Sequence, residues 1–233
     1  MTGAIKHINE LTEPEIRQMF MLMNMFYNDV DFGVFTRDLY DKQICIMLID
    51  ENKQIQGFST QKILSVDMDS VSVHGVFSGD TIIHKDYRGS WILFRLFARY
   101  YIEESKKYDS FYWFLISKGY KTYKILPLFY KEYYPNRVLP APESVRQVIN
   151  HFGRTISPDD FNPETGVIEY KHKKDKLKPD IGVLKQKHLN DPDIAFFHNC
   201  NPGHADGNDL VCLTRLTEDN LTQRGKELLL NTD

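Results

Sequence analysis

Cysteine is scarce in this chain: Cys45, Cys200 and Cys212 are the only three in 233 residues. An odd number without framework spacing excludes a disulfide-stapled secreted scaffold and fits a reducing compartment. Cys45 falls in an apolar strand and reads as core. Long hydrophobic runs are missing too. The N-terminus, Met-Thr-Gly-Ala-Ile-Lys-His, has no apolar signal core. The longest apolar stretches, such as Ile44 to Ile49, fall far short of the roughly 20 residues of a membrane span. A soluble, cytoplasmic protein without a membrane span is expected. With a formal net charge of −3, neither sign dominates, so no nucleic-acid partner is expected. A Walker loop, a dinucleotide fingerprint, a nucleophile elbow and a kinase motif set are all absent, which removes the common nucleotide and hydrolase readings.

Aromatic residues are abundant, with 15 Phe and 13 Tyr. The length suits one sizeable domain or one domain with an elaborated C-terminal part. Residues 13 to 30 read as a helix, since Thr12 can cap it, Pro14 sits near its first position and acids follow. Its Met and Phe positions crowd one face, as core packing requires. Residues 35 to 41 suggest a second, short helix. Residues 43 to 50 and 54 to 66 form a β-hairpin around Asp50-Glu-Asn-Lys53. A third strand spans 71 to 83, and Ser78-Gly79 within it predicts a bulge or a close approach by a ligand.

The stretch Asp80-Thr-Ile-Ile-His-Lys-Asp-Tyr-Arg-Gly-Ser-Trp-Ile-Leu-Phe-Arg-Leu-Phe97 joins that strand to an amphipathic helix through a basic, Gly-containing turn. The first turn of a helix presents amides without intrahelical partners at the positive end of the helix dipole, which favours a phosphate. Arg88 adds a fixed cation, and Gly89 lets a ligand approach the backbone. Residues 110 to 117 form a continuous apolar and aromatic run suited to a central buried strand. Strand, helix, strand in this order implies a right-handed crossover and a parallel pair. Residues 118 to 135 predict a helix with a proline in its path, residues 141 to 152 a further helix, and Val167 to Tyr170 an edge strand. From Ala195 to Leu216 a polar Gly/Asn/Pro loop separates two apolar segments.

Residues 80 to 97 resemble the acyl-donor motif of the GNAT superfamily of N-acetyltransferases: strand, Arg/Gln-x-x-Gly-x-Gly/Ala, helix. Arg88 stands at the leading position, while Trp91 and Leu93 occupy the later small ones. Phe129-Tyr-Lys-Glu-Tyr-Tyr134 resembles the Phe-Tyr-x-x-x-Gly-Phe segment that follows the next strand in that family. The resemblance covers roughly residues 13 to 135. It implies an α/β fold with a mixed, mostly antiparallel sheet, a central parallel strand pair and flanking helices. Residues 1–135 would form the donor-binding core and residues 136–233 an extension on the same domain. It further implies an acyltransferase that moves an acyl group from acyl-CoA, or from acyl-carrier-protein phosphopantetheine, to a small-molecule amine acceptor. The amides of Thr81, Ile82 and Ile83 would pair with the pantetheine arm, and Arg88, Gly89, Ser90, Trp91 and Ile92 would take the phosphate. Trp91 and Leu93 point toward a one-phosphate carrier-protein donor or an altered pose of coenzyme A. The aromatic wealth suits a long acyl chain, as in the synthases of N-acyl amino acids and acyl-homoserine lactones.

Acyl transfer needs a held thioester, a group that takes the amine proton and an acid for the departing thiolate. Tyr130 stands where the resembling family keeps its acidic tyrosine. Asp80, His84 and His74 are candidate bases, with Asp80, Ile82 and His84 on one strand face by period-two alternation. Packing in an aromatic cluster is the alternative reading of Tyr130, and a satisfied surface position that of His84. The basic run Lys171-His-Lys-Lys-Asp-Lys-Leu-Lys178 reads as a solvated loop or as a docking patch for an acidic carrier protein. His198, Cys200, His204 and Cys212 are types that zinc accepts, but Cys-x-x-Cys and His-x-x-x-His pairs are absent, so no metal is expected. The competing readings are a GNAT-shaped binding protein without catalysis and a metal-dependent hydrolase centred on His198, Cys200 and His204.

Overall fold

The structure is a computed structural model and describes residues 1–68, 71–171, 176–178, 181 and 184–230. In chain order the elements are β1 (Thr2–His7), α1 (Glu13–Phe26), β2 (Tyr27–Asn28), α2 (Phe32–Tyr40), β3 (Ile44–Ile49) and β4 (Ile55–Met68). Next come β5 (Val71–Ile83), α3 (Ile92–Ser105), β6 (Phe111–Ser117), α4 (Tyr120–Tyr123), α5 (Ile125–Phe129), β7 (Tyr133–Tyr134) and α6 (Glu143–Ile156). The chain closes with β8 (Phe161–Asn162), β9 (Val167–Ile168), β10 (Lys176–Leu177), α7 (Pro192–Cys200), β11 (Asp209–Arg215) and α8 (Gln223–Leu229).

Local chemistry explains the early elements. Thr12 N–H donates to Glu15 Oε2 at 2.8 Å and Pro14 occupies the first turn, which fixes the start of α1. Ile16, Met19, Leu22, Met23 and Phe26 bury one stripe of that helix. It is shorter than the expected 13–30, because Tyr27 turns extended and β2 pairs with β10. Asp31 caps α2 by accepting from Val34 N–H at 2.8 Å. The expected helix of 118–135 is two short ones, and Pro127 lies inside the second.

Among the described residues the main sheet runs β1-β3-β4-β5-β6-β11-β9-β8, with β7 paired to β11 off that path. All pairs are antiparallel except β5 with β6. This is the mixed, mostly antiparallel α/β architecture expected from the sequence. β11 is hydrogen-bonded to β6 from Leu210↔Ser117 to Arg215↔Tyr112, so a strand from late in the chain lies beside the central one. Val167–Ile168 is not an edge, because the turn after Asn162 folds β8 onto its outer side. Among the described residues no helix is long and apolar enough to cross a membrane.

Side chains alternate between two covered faces. On one, Ile46, Val76, Trp113 and Cys212 pack under α3, α5, α7 and α8. On the other, Met47, Phe58 and Ile82 pack under α1 and α2, and Phe77, Phe114 and Val211 pack under α6. Phe114 and Phe152 stack with centroids 4.4 Å apart.

The parallel pair ends early. β5 and β6 are in register from His74↔Phe111 to Ser78↔Leu115. Beyond that point β5 continues to Ile83 against β4 alone, while β6 continues to Ser117 against β11. At the same level the β4–β5 register shifts between Ser59↔Thr81 and Gln61↔Ser78, so Gly79 and Asp80 lie opposite the single residue Thr60. This is the predicted bulge, and it adds local twist that helps carry β5 away from β6.

Close approach below the bulge depends on Gly75. A Cβ there would lie 2.5 Å from the Tyr112 carbonyl oxygen and 2.6 Å from the Phe114 ring. Gly75→Ala is expected to lower unfolding free energy by about 1–3 kcal/mol, read as a lower urea midpoint, since the core cannot absorb the extra carbon without moving β6.

Candidate functional site

Where β5 and β6 part, a cavity of about 580 Å³ opens. Its walls come from both faces of the sheet. Thr81, Ile83, Trp113 and Phe97 border it on the α3 side, and Lys42, Phe77, Ile82 and Ile156 on the side of α1, α2 and α6. Such a lining means that the cavity passes through the sheet at the notch.

A chain of buried polar side chains crosses the α3 side of the notch. Trp113 Nε1 donates to Ser78 Oγ at 2.8 Å, and Ser78 Oγ donates to Gln61 Oε1 at 2.7 Å. Gln61 Nε2 donates to Ser59 Oγ at 2.6 Å, and Ser59 and Thr81 hydroxyls are 2.7 Å apart. Gln61 is fully buried. These contacts satisfy groups that would otherwise be costly inside an apolar sheet, and they lock β4, β5 and β6 together at the bulge.

The opposite side is charged. The Lys42 side chain is 2% exposed and donates to Asp38 Oδ1 at 2.9 Å and to the Asp38 carbonyl at 3.0 Å. Its stem lies beside Gly79, where a Cβ would come within 2.8 Å of Lys42 Cε and 2.7 Å of Thr60 Oγ1. Further along, buried Asp209 accepts from Tyr170 OH at 2.8 Å, and Lys118 Nζ lies 3.8 Å from the same carboxylate oxygen. Lys118 also stands over the rings of Tyr27 and Tyr170.

At the mouth of the cavity α3 begins. Trp91 is its N-cap, Arg95 N–H is the first amide to reach a carbonyl of the turn, at 2.8 Å from Trp91 O, and Ser90 Oγ accepts from Ile92 N–H at 3.4 Å. The Arg88 guanidinium lies 5.4 Å over the Phe26 ring. Beside Gly89 there is open space, since a Cβ would meet nothing within 4 Å. Trp91 turns its ring inward, 5.4 Å from Phe129 and 5.9 Å from Phe94, and Leu93 is buried. The two bulky residues of the turn are thus taken up by the core.

Among the residues singled out from the sequence, Asp80, Thr81, Ile82, Ile83, Arg88 and Trp91 border the cavity, whereas His84, Gly89, Ser90, Ile92 and Tyr130 do not. His84 Nδ1 accepts from Asp86 N–H at 3.4 Å and its ring packs 5.9 Å from Tyr87, because the strand has ended at Ile83. Tyr130 is 3% exposed in the core, 5.9 Å from the Trp113 ring, and burial pushes its hydroxyl above the ordinary tyrosine range. Tyr120 does border the cavity; burial raises its hydroxyl, and the nearby Arg88 charge opposes that shift. His74 bonds Ser65 at 2.9 Å and packs on Tyr108, away from the cavity walls.

The His198 and His204 rings meet edge to face at 5.5 Å, and burial followed by the His198 charge lowers the pKa of His204. Among the described residues no group of three or more His, Cys, Asp and Glu side chains is arranged to hold a metal ion. Cys212 sits in β11, where burial pushes its thiol far up. The middle of the basic run expected to dock a carrier protein, residues 172–175, lies outside the described residues. Of its ends, Lys178 Nζ donates to the Asn24 carbonyl at 2.7 Å.

Sequence reasoning missed Ser59, Gln61, Ser78, Trp113, Lys42 and Asp209. Ser59, Thr60 and Gln61 are consecutive polar residues of β4 whose burial shows only once the partner strands are in place.

No family model and no curated protein matches the chain. Among solved structures it is similar to a probable N-acyltransferase of unknown function from Enterococcus faecalis, at 15% identity over 57% of this chain and 33% of that one, with a TM-score of 0.41. This chain therefore spans a third of that protein. The GNAT family N-acetyltransferase YhbS of Escherichia coli, in complex with CoA, overlaps at 12% identity over 55% of this chain and 69% of that one, with a TM-score of 0.39. Arabidopsis thaliana NAA60, in complex with acetyl-CoA, overlaps at 12% identity over 53% of this chain and 83% of that one, with a TM-score of 0.39.

Gln61→Leu keeps the volume of the side chain but leaves the Ser59 and Ser78 hydroxyls without their partner. Equilibrium urea unfolding is expected to register a loss of roughly 1–3 kcal/mol, since Ser78 keeps Trp113 and Ser59 keeps Thr81 but two buried hydrogen bonds are lost.

Proposed function

We propose that this protein is an acyltransferase of GNAT type, which moves an acyl group from an acyl-CoA thioester to an amine acceptor. The observation that carries the proposal is the through-sheet cavity at the point where β5 and β6 cease to pair. From Gly79 to Ile83, β5 has β4 on one side and no strand on the other among the described residues. A pantetheine arm carries two amides and can lie along such an edge as an added strand does. At the end of that edge the first turn of α3 and Arg88 suit the diphosphate. Trp91, Phe94, Phe97, Ile125 and Leu128 form an apolar wall on the same side, which suits an acyl chain longer than acetyl.

The acceptor would come from the charged side, past Lys42 and Asp80. Its amine nitrogen attacks the thioester carbonyl carbon, an oxyanion forms on the carbonyl oxygen, and its collapse breaks the C–S bond. The nitrogen loses a proton, for which Asp80 at the wall is the proposed acceptor. The thiolate leaves with a conjugate-acid pKa near that of cysteine, about 8.5, so water can protonate it and no tyrosine is obligatory. The Lys171–Lys178 run would matter only with a carrier-protein donor, which presents the same arm on one phosphate.

The direct test is thiol release from acyl-CoAs of increasing chain length in the presence of a panel of amines. Donor affinity is expected to rise with each methylene until the cavity is filled, by up to about 0.8 kcal/mol per CH₂. Arg88→Ala should weaken donor binding roughly tenfold or more through loss of charge-assisted contacts. Asp80→Asn should lower turnover by about 10²-fold. Tyr130→Phe and His84→Gln, which alter groups away from the cavity, should leave turnover within about twofold. A chain that binds acyl-CoA and turns over none of the amines would be a binding protein on this fold, and one that binds no acyl-CoA would refute the assignment.

A further inference from the structure

The polar chain beside the notch has a sense of direction. Trp113 Nε1 can only donate, so Ser78 Oγ accepts from it at 2.8 Å. Ser78 has one hydroxyl hydrogen, and it goes to Gln61 Oε1 at 2.7 Å. The reverse orientation of the Gln61 amide would make Ser78 accept twice and leave its own hydrogen without a place. With Oε1 turned to Ser78, Gln61 Nε2 donates to Ser59 Oγ at 2.6 Å. The single hydrogen of Ser59 is then directed at Thr81 Oγ1, 2.7 Å away. One hydrogen remains, that of Thr81, and the Thr81 hydroxyl makes no other hydrogen bond among the described residues.

Thr81 stands at the open end. Ser59, Gln61, Ser78 and Trp113 are all buried, while Thr81 is half-buried and borders the cavity. It lies on β5 beyond the last residue paired with β6, on the α3 side. Each bond accepted along the chain polarises the next O–H, so the terminal hydroxyl donates more strongly than an isolated threonine.

We propose that the Thr81 hydroxyl is a preset hydrogen-bond donor to the carbonyl oxygen of a thioester held in the cavity. Trp113, Ser78, Gln61 and Ser59 are positioning residues that fix the direction of donation. This rests on the acyl-CoA reading of the notch. A carbonyl oxygen gains charge as the amine attacks, so a fixed donor stabilises the transition state more than the bound thioester. An ammonium group is a poor match for this end, because it has only hydrogens to offer. The side chain of Thr81 thereby takes a role apart from its backbone amide.

The experiment compares calorimetric affinity for acetyl-CoA and for S-ethyl-CoA, the thioether that lacks only the carbonyl oxygen. Wild type is expected to favour acetyl-CoA by about threefold to tenfold, the worth of one such hydrogen bond. Thr81→Val should abolish the preference while leaving S-ethyl-CoA affinity within about twofold, and Thr81→Ser should retain it. General damage to the fold weakens both ligands alike, so the ratio isolates the carbonyl contact. The stretching frequency of bound ¹³C-carbonyl acetyl-CoA should be lower in wild type and Thr81→Ser than in Thr81→Val. A preference that survives Thr81→Val, or no preference in wild type, overturns the proposal and leaves the acyl-CoA reading standing. Failure of wild type to bind either ligand removes that reading and this inference with it.

Discussion

A parallel strand pair that stops pairing partway is the constraint from which the site follows. Up to Ser78 and Leu115 the sheet is closed, and its two faces are separate cores. One residue further the bulge puts Gly79 and Asp80 against Thr60, and the two strands go to different partners. Backbone groups that lose a strand neighbour inside a protein must find other partners, and a gap at this depth is hard to sustain unless something polar borders it. Polar side chains border the gap on both sides: Ser78, Gln61, Ser59 and Thr81 bond one another on one, and Lys42 bonds Asp38 on the other. Glycine at position 79 is part of the same solution, since the space its side chain would fill is taken by Thr60 Oγ1 and the Lys42 stem.

The two ends of the cavity differ in chemistry for a topological reason. β5 leads directly into the turn and α3, so its open edge runs on to a helix N-terminus, and Arg88 of the turn borders the cavity over the Phe26 ring of α1. The face opposite α3 is covered by α1 and α2 at one end of the sheet and by α6 at the other. Between those covers lie Lys42, Lys118 and Asp209, charged groups that border the cavity.

Much of this was legible in the residues. The hairpin, the Gly-marked bulge, the helix after the basic turn and the apolar run of β6 each have a short-range signature, and local order alone implied the parallel pair. The polar chain was not legible, because it is assembled across three strands from residues 17 and 35 positions apart. Serine and glutamine in a strand read as solvent-facing until the partner strands are known. Tyr130 shows the converse limit: its place after the strand was readable, its depth behind Trp113 was not. His84 lies off the cavity wall for a local reason, since period-two alternation was extended one residue past the end of β5, where the Asp86 amide holds the ring.

The turn into α3 shows how a departure from a small-residue pattern can be tolerated. Trp91 and Leu93 are the bulky residues at the start of the helix, and both turn toward its apolar surroundings. Leu93 points into the core, and the Trp91 ring leans on Phe129 and Phe94. Burying an indole this way contributes apolar contact to the α3–α5 interface, and edge-to-face geometry with Phe129 adds to it. The open space beside Gly89 remains. Bulk at these positions therefore goes into the apolar wall of the cavity, where Trp91 and Leu93 both stand, and into the packing of α3 on α5.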